Sequence, residues 1–212
     1  MENSDDNVMQ EAKETLTQVY ERLRHSTDSA LLSQLARQPL PDKNDAAQLS
    51  RATTLLEAIS GNSNTPVDDR KYLAESMPYP NILVKLSQDP DPEVRCLVAA
   101  NKNDKNWLVG RLSKDPVQSV RTAALLNPNI SWKMRLEGAE DSTTSEEALD
   151  FLSTLGTADN EPNAKIILAT MVRRAVALNP NTPQRILERL SHDDSLDVKH
   201  AVEQRLSAEK TL

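Results

Sequence analysis

A valine followed by a basic residue recurs at Val94-Arg95, Val120-Arg121, Val172-Arg173 and Val198-Lys199. The steps are 26, 52 and 26 residues, which is one period near 26 with a degenerate copy in the middle. Other landmarks keep the same register. Asp89, Asp115, Asp141 and Asp193 step by 26, 26 and 52, and Asn101, Asn127 and Asn179 by 26 and 52. Leu86, Leu112 and Leu190 step by 26 and 78. A period of this length marks a chain built from stacked supersecondary units, each too small to bury its own apolar face.

Each unit reads as two short helices. The second carries apolar residues at i, i+3 and i+4: Val94, Leu97, Val98; Val120, Ala123, Ala124; Val172, Ala175, Val176; Val198, Ala201, Val202. That is one face of a helix. The first carries Leu83 and Leu86, then Leu108 and Leu112, then Ile186, Leu187 and Leu190. Thr182 before Pro183 reads as an N-cap followed by proline at the first helical position, and Asp91-Pro92 and Asp115-Pro116 look the same. Asn127-Pro128 and Asn179-Pro180 read as helix ends, because the residue before proline is pushed out of the α region. Helices this short are marginal alone in water, so they must pack on their neighbours. The spacing predicts an all-α solenoid of short helix pairs with a period of about 26 residues.

These residues carry a family resemblance. The stretch NPNTPQRILERLSHDDSLDVKHAV, Asn179 to Val202, resembles the unit of the leucine-rich repeat variant family. It shares the Asn-Pro-Asn-Thr-Pro opening, the Leu-x-x-Leu helix and the Asp-x-x-Val-Arg second helix. More loosely, the chain is similar to HEAT-like repeats. The resemblance runs from Tyr79 to Leu206 and implies a curved, right-handed stack of short helices. Three departures accompany it. The unit is slightly longer than typical, the copy expected around Glu146 lacks the Val-Arg pair, and residues 1–60 match nothing in the pattern. The resemblance implies no particular activity.

Outside the repeat, residues 8–24 predict an amphipathic helix, with Val8, Ala12, Leu16, Val19 and Leu23 at helical spacing. Residues 28–37 and 45–60 predict two more, separated by Gln38-Pro39-Leu40-Pro41. Residues 1–62 are therefore expected to form an N-terminal helical cap, which a solenoid needs to cover its terminal apolar face. Residues 63–212 are expected to form the solenoid, with an acidic insertion at 137–161. Between Arg135 and Lys165 there is no basic residue, while the acids number eight, from Glu137 to Glu161. Thr144 and Glu147 spell a capping box, so a helix is expected from about 145 to 155. Thr157 to Asn163 reads as a loop, followed by a long helix from Asn163 to Leu178. One reading of the stretch is a solvated surface insertion. The competing reading is a patch that docks a basic protein partner through Glu140, Asp141, Glu146, Glu147 and Asp150.

The search for chemistry returns little. The formal charge of −7 repels phosphate backbones on average. Aromatic residues make up only 3% of the chain, so Leu, Ala, Val and Ile must build the core. Trp107 and Trp132 are expected in core or inter-repeat packing. Cys96, the single cysteine, excludes an intrachain disulfide and suits a reducing cytoplasm as a small core or near-core residue. His25, His192 and His200 form no metal-ligand pattern, and no phosphate-binding glycine loop, nucleophile elbow or CxxC is present. The N-terminus is acidic where a signal peptide is basic, and no run approaches 18 apolar residues. No cofactor, metal or membrane is expected.

The basic series Arg95, Arg121, Arg173 and Lys199 forms a ladder along the stack. Its structural reading ties each member to a loop carbonyl or to Asp89, Asp115 or Asp193. Its functional reading is a basic stripe for an acidic segment or a nucleic-acid backbone. The expectation is a non-enzymatic, cytoplasmic repeat scaffold that binds another protein. The alternatives are a nucleic-acid-binding protein, like the HEAT-like alkylpurine DNA glycosylases, and a structural subunit of a larger complex.

Overall fold

The structure, a computed structural model, describes residues 14–103 and 106–209. Among them are thirteen α-helices and no strand. The described residues fall into two compact units, divided between Leu73 and Ala74.

The first unit contains α1 (Leu16–Arg24), α2 (Ser29–Ala36), α3 (Ala46–Ser60) and the first part of α4 (Val67–Ser76). Val8 and Ala12, expected in the first helix, lie outside the described residues. α1, α2 and α3 each start where a side chain supplies an acceptor for an orphan backbone N–H. Thr15 and Gln18 close a reciprocal capping box on α1, and Asp28 and Asp45 cap α2 and α3. α1 and α2 both pack on α3 and bury Leu23, Leu32, Ala36, Leu56 and Ile59. The sequence reading left α4 out. Arg37 holds α4 through Asp69 at 2.5 Å and lies over the ring of Tyr72.

The second unit contains α5 (Pro80–Leu86), α6 (Pro92–Ala100), α7 (Asn106–Leu112), α8 (Gln118–Leu126), α9 (Trp132–Glu140), α10 (Glu146–Leu152), α11 (Ile166–Leu178), α12 (Gln184–Leu190) and α13 (Leu196–Glu209). α6 packs on α8, α9 on α11, and α11 on α13, with short α5, α7 and α12 beside them. The valines of the repeat sit in this seam: Val94, Val98, Val120, Val172, Val176, Val198 and Val202 are all buried. Opposite them lie Ile82, Leu83, Leu86, Leu108, Leu112, Ile186, Leu187 and Leu190, also buried. Each such side chain contributes about 1.5–3 kcal/mol by leaving water, so the apolar stripes hold the stack together.

Four details correct the sequence reading. Asp91 caps α6 as expected, but α8 begins at Gln118, so Asp115-Pro116 lies outside it and Val117 is the capping residue. Thr182 does not cap α12; Pro183 occupies that place, and the Thr182 hydroxyl donates to the Val176 carbonyl. Thr144 does not form a capping box, because Ser145 caps α10 while Thr144 donates to the Gly138 carbonyl. Both threonines close the end of the preceding helix, whose last carbonyls have no helical partner. Trp107 is 55% exposed, because Leu108, Val109 and Leu112 take the buried face of α7. Trp132 is half-buried, with the Arg135 guanidinium 4.7 Å from its ring.

Candidate functional site

The ladder residues are placed as follows. Arg95 forms a fork on the Asp115 carboxylate at 2.8 and 3.1 Å and donates to the Asp89 carbonyl at 2.7 Å. Arg173 repeats this on Asp193 at 2.7 and 3.1 Å and donates to the Leu155 carbonyl. Arg121 reaches the Asp115 and Pro116 carbonyls and Thr143, with no carboxylate in its fork. Lys199 is half-buried. Each aspartate also accepts the backbone N–H two residues on: Asp89 from Asp91, Asp115 from Val117, Asp193 from Ser195. Burial pushes the Asp115 carboxyl up, but Arg95 and the Val117 N–H outweigh it and hold it below the usual carboxylate range.

A second set of polar bonds runs through the asparagines. Asn101 donates to the carbonyls of Ala74 and Met77, Asn127 to those of Ala99 and Asn101, and Asn179 to those of Ala139 and Asp141. Each also accepts the N–H two residues on, from Asn103, Asn129 and Asn181. Asp141 belongs to this series. It is the C-cap of α9 and accepts from the Thr143 N–H at 2.7 Å. Its place in the 26-residue aspartate series is a coincidence of spacing. In the first unit Asn62 does the same, donating to the Leu23 and Ser26 carbonyls and accepting from Asn64. The string Asn62-Ser63-Asn64-Thr65-Pro66 matches Asn179-Pro180-Asn181-Thr182-Pro183 at four of five positions. That signal was available in the sequence and went unread.

The acidic stretch is half core. Leu149 and Leu152 of α10, with Leu155, are fully buried in one cluster with residues of α11 and α12, Ala148 is buried as well, and the acids lie outside them. Glu146 and Asp150 are engaged from within the chain: Arg185 bridges both at 2.9 and 3.2 Å, and Arg189 meets Asp150 at 2.5 Å. Burial pushes the Asp150 carboxyl up, but the two arginines bring it below its ordinary value. Glu147 is exposed at the edge of a hollow shared with Ala123 and Leu126. Glu140 is exposed at the end of α9.

The turn after α10 is tied down. Gly156 adopts φ +76°, and a Cβ there would meet the Ala169 Cβ at 2.7 Å. Asn160 donates to the Phe151 carbonyl and the Thr154 hydroxyl oxygen. Glu161, at φ 49°, is held by both terminal nitrogens of the buried Arg135 at 2.7 and 2.5 Å. A non-glycine residue in that region persists when its surroundings over-determine it, as this buried fork does.

This turn forms one wall of a groove of 860 Å³ along the outer face of α11. The inner face of α11 carries Ala169, Val172 and Val176 into the core. The outer face carries Ile166, Ile167 and Met171, which are 61%, 74% and 46% exposed. The other wall is the loop from His192 to Asp197. The floor is the Arg173–Asp193 pair, whose side chains are 4% and 7% exposed. Met171 and Arg174 also border a second hollow of 250 Å³ that runs to Glu140 and Pro180. The sequence reading placed the helix but not this face. A helix apolar on more than one side was the available signal.

Among the described residues no group of three or more His, Cys, Asp or Glu is placed to hold a metal ion. No described helix is long and apolar enough to cross a membrane. No curated protein and no solved structure matches the chain. One family model does, over residues 171–195, from Met171 of α11 through α12 to the loop that carries Asp193. That segment carries Asn179, the Arg173–Asp193 fork and the Thr182 hydroxyl bond in one unit, and it is similar to the unit described as a leucine rich repeat variant.

Proposed function

We propose that the chain is a non-enzymatic, cytoplasmic repeat scaffold that binds another protein, with the outer face of α11 as its docking surface. The observation that supports this reading is the apolar cluster on that face. Six large hydrophobic residues are exposed among the described residues, and three of them, Ile166, Ile167 and Met171, lie together beside the groove. Scattered exposed apolar residues need no explanation, but a contiguous set beside a groove marks an interaction surface. Leucine rich repeat variant units are helical repeats commonly involved in protein interaction, which fits the same reading. The acidic patch supports docking less well, since Arg185 and Arg189 already occupy Glu146 and Asp150.

The test places a photo-crosslinking residue at Ile167 and, separately, at Glu140 in the full chain. A discrete protein adduct is expected from position 167 in native cells, and Ile167→Glu in the parent should abolish co-purification of that protein. Adducts confined to position 140 would move the docking surface to the acidic patch. Titration with duplex DNA and single-stranded RNA at about 0.15 M salt serves as the control. Sub-micromolar binding there would favour the nucleic-acid alternative instead.

A further inference from the structure

The walls of the α11 groove are not neutral. Of the charged residues lining it, Arg173 and Asp193 neutralise each other, and Arg189 is committed to Asp150. That leaves Asp159 on one wall and Asp194 and Asp197 on the other, all exposed and without an ion pair among the described residues. Against these three carboxylates stand Arg174 and the exposed His192, whose ring nitrogen already contacts the Glu188 carbonyl. The groove therefore has an apolar strip flanked by acidic rims. Resting on the protein-docking reading above, we infer that its occupant is a basic amphipathic protein segment. Its apolar side chains cover Ile166, Ile167 and Met171, and its lysines or arginines meet Asp159, Asp194 and Asp197.

The length of the strip agrees with this. Ile167, Met171 and Arg174 are spaced i, i+4, i+7, so they share one face of α11. From Ile166 to Arg174 the helix rises about 12 Å, which matches about two turns of a helical ligand. An occupant of that length presents two or three apolar anchors and charges on both flanks, the pattern of helix-in-groove recognition. A phosphate backbone would meet the same three carboxylates with like charge. A partner rich in Asp or Glu would find only Arg174 and His192. Complementary rims of this kind set partner choice and association rate more than total affinity, so salt sensitivity is the signature to seek.

The test uses the full chain and three fluorescent 14-residue amphipathic helical peptides with identical leucine faces, whose polar faces are lysine, glutamine or glutamate. The lysine peptide is expected to bind most tightly. Its affinity should fall roughly five- to tenfold in Asp194→Asn/Asp197→Asn, the scale of two exposed charge contacts. It should fall further in Ile167→Glu, and weaken with added salt while the glutamine peptide barely changes. A Met171 methyl resonance that shifts on binding would place the peptide in the groove. If the glutamine or glutamate peptide binds as tightly as the lysine one, and Ile167→Glu still abolishes it, the charge inference is overturned while docking on α11 stands. If no peptide binding responds to Ile167→Glu, and the crosslink from position 167 is also absent, both readings fall together.

Discussion

Helices α5 to α8 and helices α9 to α11 solve one problem with different residues. In the regular part, Arg95 reaches forward to Asp115 and back to the Asp89 carbonyl, and Asn127 ties the end of α8 to the end of α6. In the middle part the forward fork is Arg135 on Glu161, and Asn179 reaches Ala139 and Asp141 across a separation of 40 and 38 residues. The backward bond of Arg173 goes to Leu155, 18 residues away, where Arg95 needs only 6 to reach Asp89. The polar bonds between helix ends are kept while the chain between them lengthens. The asparagine bonds and the backward arginine bonds close backbone groups that a buried helix end leaves open, so the stack requires such a bond whatever residue supplies it. A spacing marker follows the residue, and the structure follows the bond.

The sharpest way to break that comparison is to remove one arginine from each class. Arg173 is buried, and its fork on Asp193 is the floor of the α11 groove. Arg173→Ala leaves the Asp193 charge buried without its partner and should cost about 3–5 kcal/mol in chemical denaturation. Arg121 is only half-buried and holds carbonyls and Thr143, so Arg121→Ala should cost about 1–2 kcal/mol. Equal losses would show that the carboxylate forks hold no special place. A negligible loss for Arg121→Ala, with lost affinity for an acidic ligand, would return the ladder to a binding role.

The lengthened turn in the middle part has its own weak point. Gly156 sits at φ +76° with no room for a Cβ beside Ala169. Gly156→Ala should cost about 2–4 kcal/mol, from the left-handed backbone and from overpacking together. Adding Ala169→Gly removes the clash and leaves the backbone term, so the double variant should recover part of the loss. Full recovery would mean that the left-handed conformation costs nothing there. No recovery would mean that the clash does not exist.

The helices of the regular copies were legible because two signals agree: apolar residues at helical spacing and Asn-Pro or Asp-Pro punctuation near the ends. The periodicity of Val94 and Val98, or Val172 and Val176, states which face is buried. It does not state what the polar residues at the helix ends bond to. Thr182 before a proline resembles an N-cap, and only the geometry shows its hydroxyl turned back to Val176. α4 has no apolar stripe of its own to announce it, and its only signal is Asn62-Ser63-Asn64-Thr65-Pro66, the junction between α3 and α4. The candidate docking face was hidden for another reason. Ile166, Ile167 and Met171 follow no single stripe with Val172 and Val176, and a reading that seeks one face per helix discards them. The acidic patch looked available because Arg185 and Arg189, which occupy it, lie about 40 residues further on in the chain.

Asp141 gives the finest test of whether the two parts are interchangeable. Asn101, Asn127 and Asn179 each donate to backbone carbonyls and accept from an N–H. A carboxylate at this place can only accept, and Asp141 takes the Thr143 N–H and hydroxyl. Those bonds, with the charges of Arg121 and Lys114, hold its carboxyl below the ordinary aspartate value, although burial acts the other way. A group whose folded-state pKa is depressed stabilises the fold above its unfolded pKa and loses that contribution as pH falls through the folded one. Asp141→Asn keeps an acceptor and removes the charge. It should therefore cost less than about 1 kcal/mol at pH 7, the scale of one partly exposed charged hydrogen bond. The difference between variant and parent should hold steady down to about pH 5 and then shrink below about pH 4, where an unperturbed aspartate takes up its proton. Denaturation of both proteins across that range measures it. A variant more stable than the parent at pH 7 would show that the Asn side chain finds carbonyls to bond here as it does in the regular repeats, and that this helix end differs from theirs by the missing donor alone.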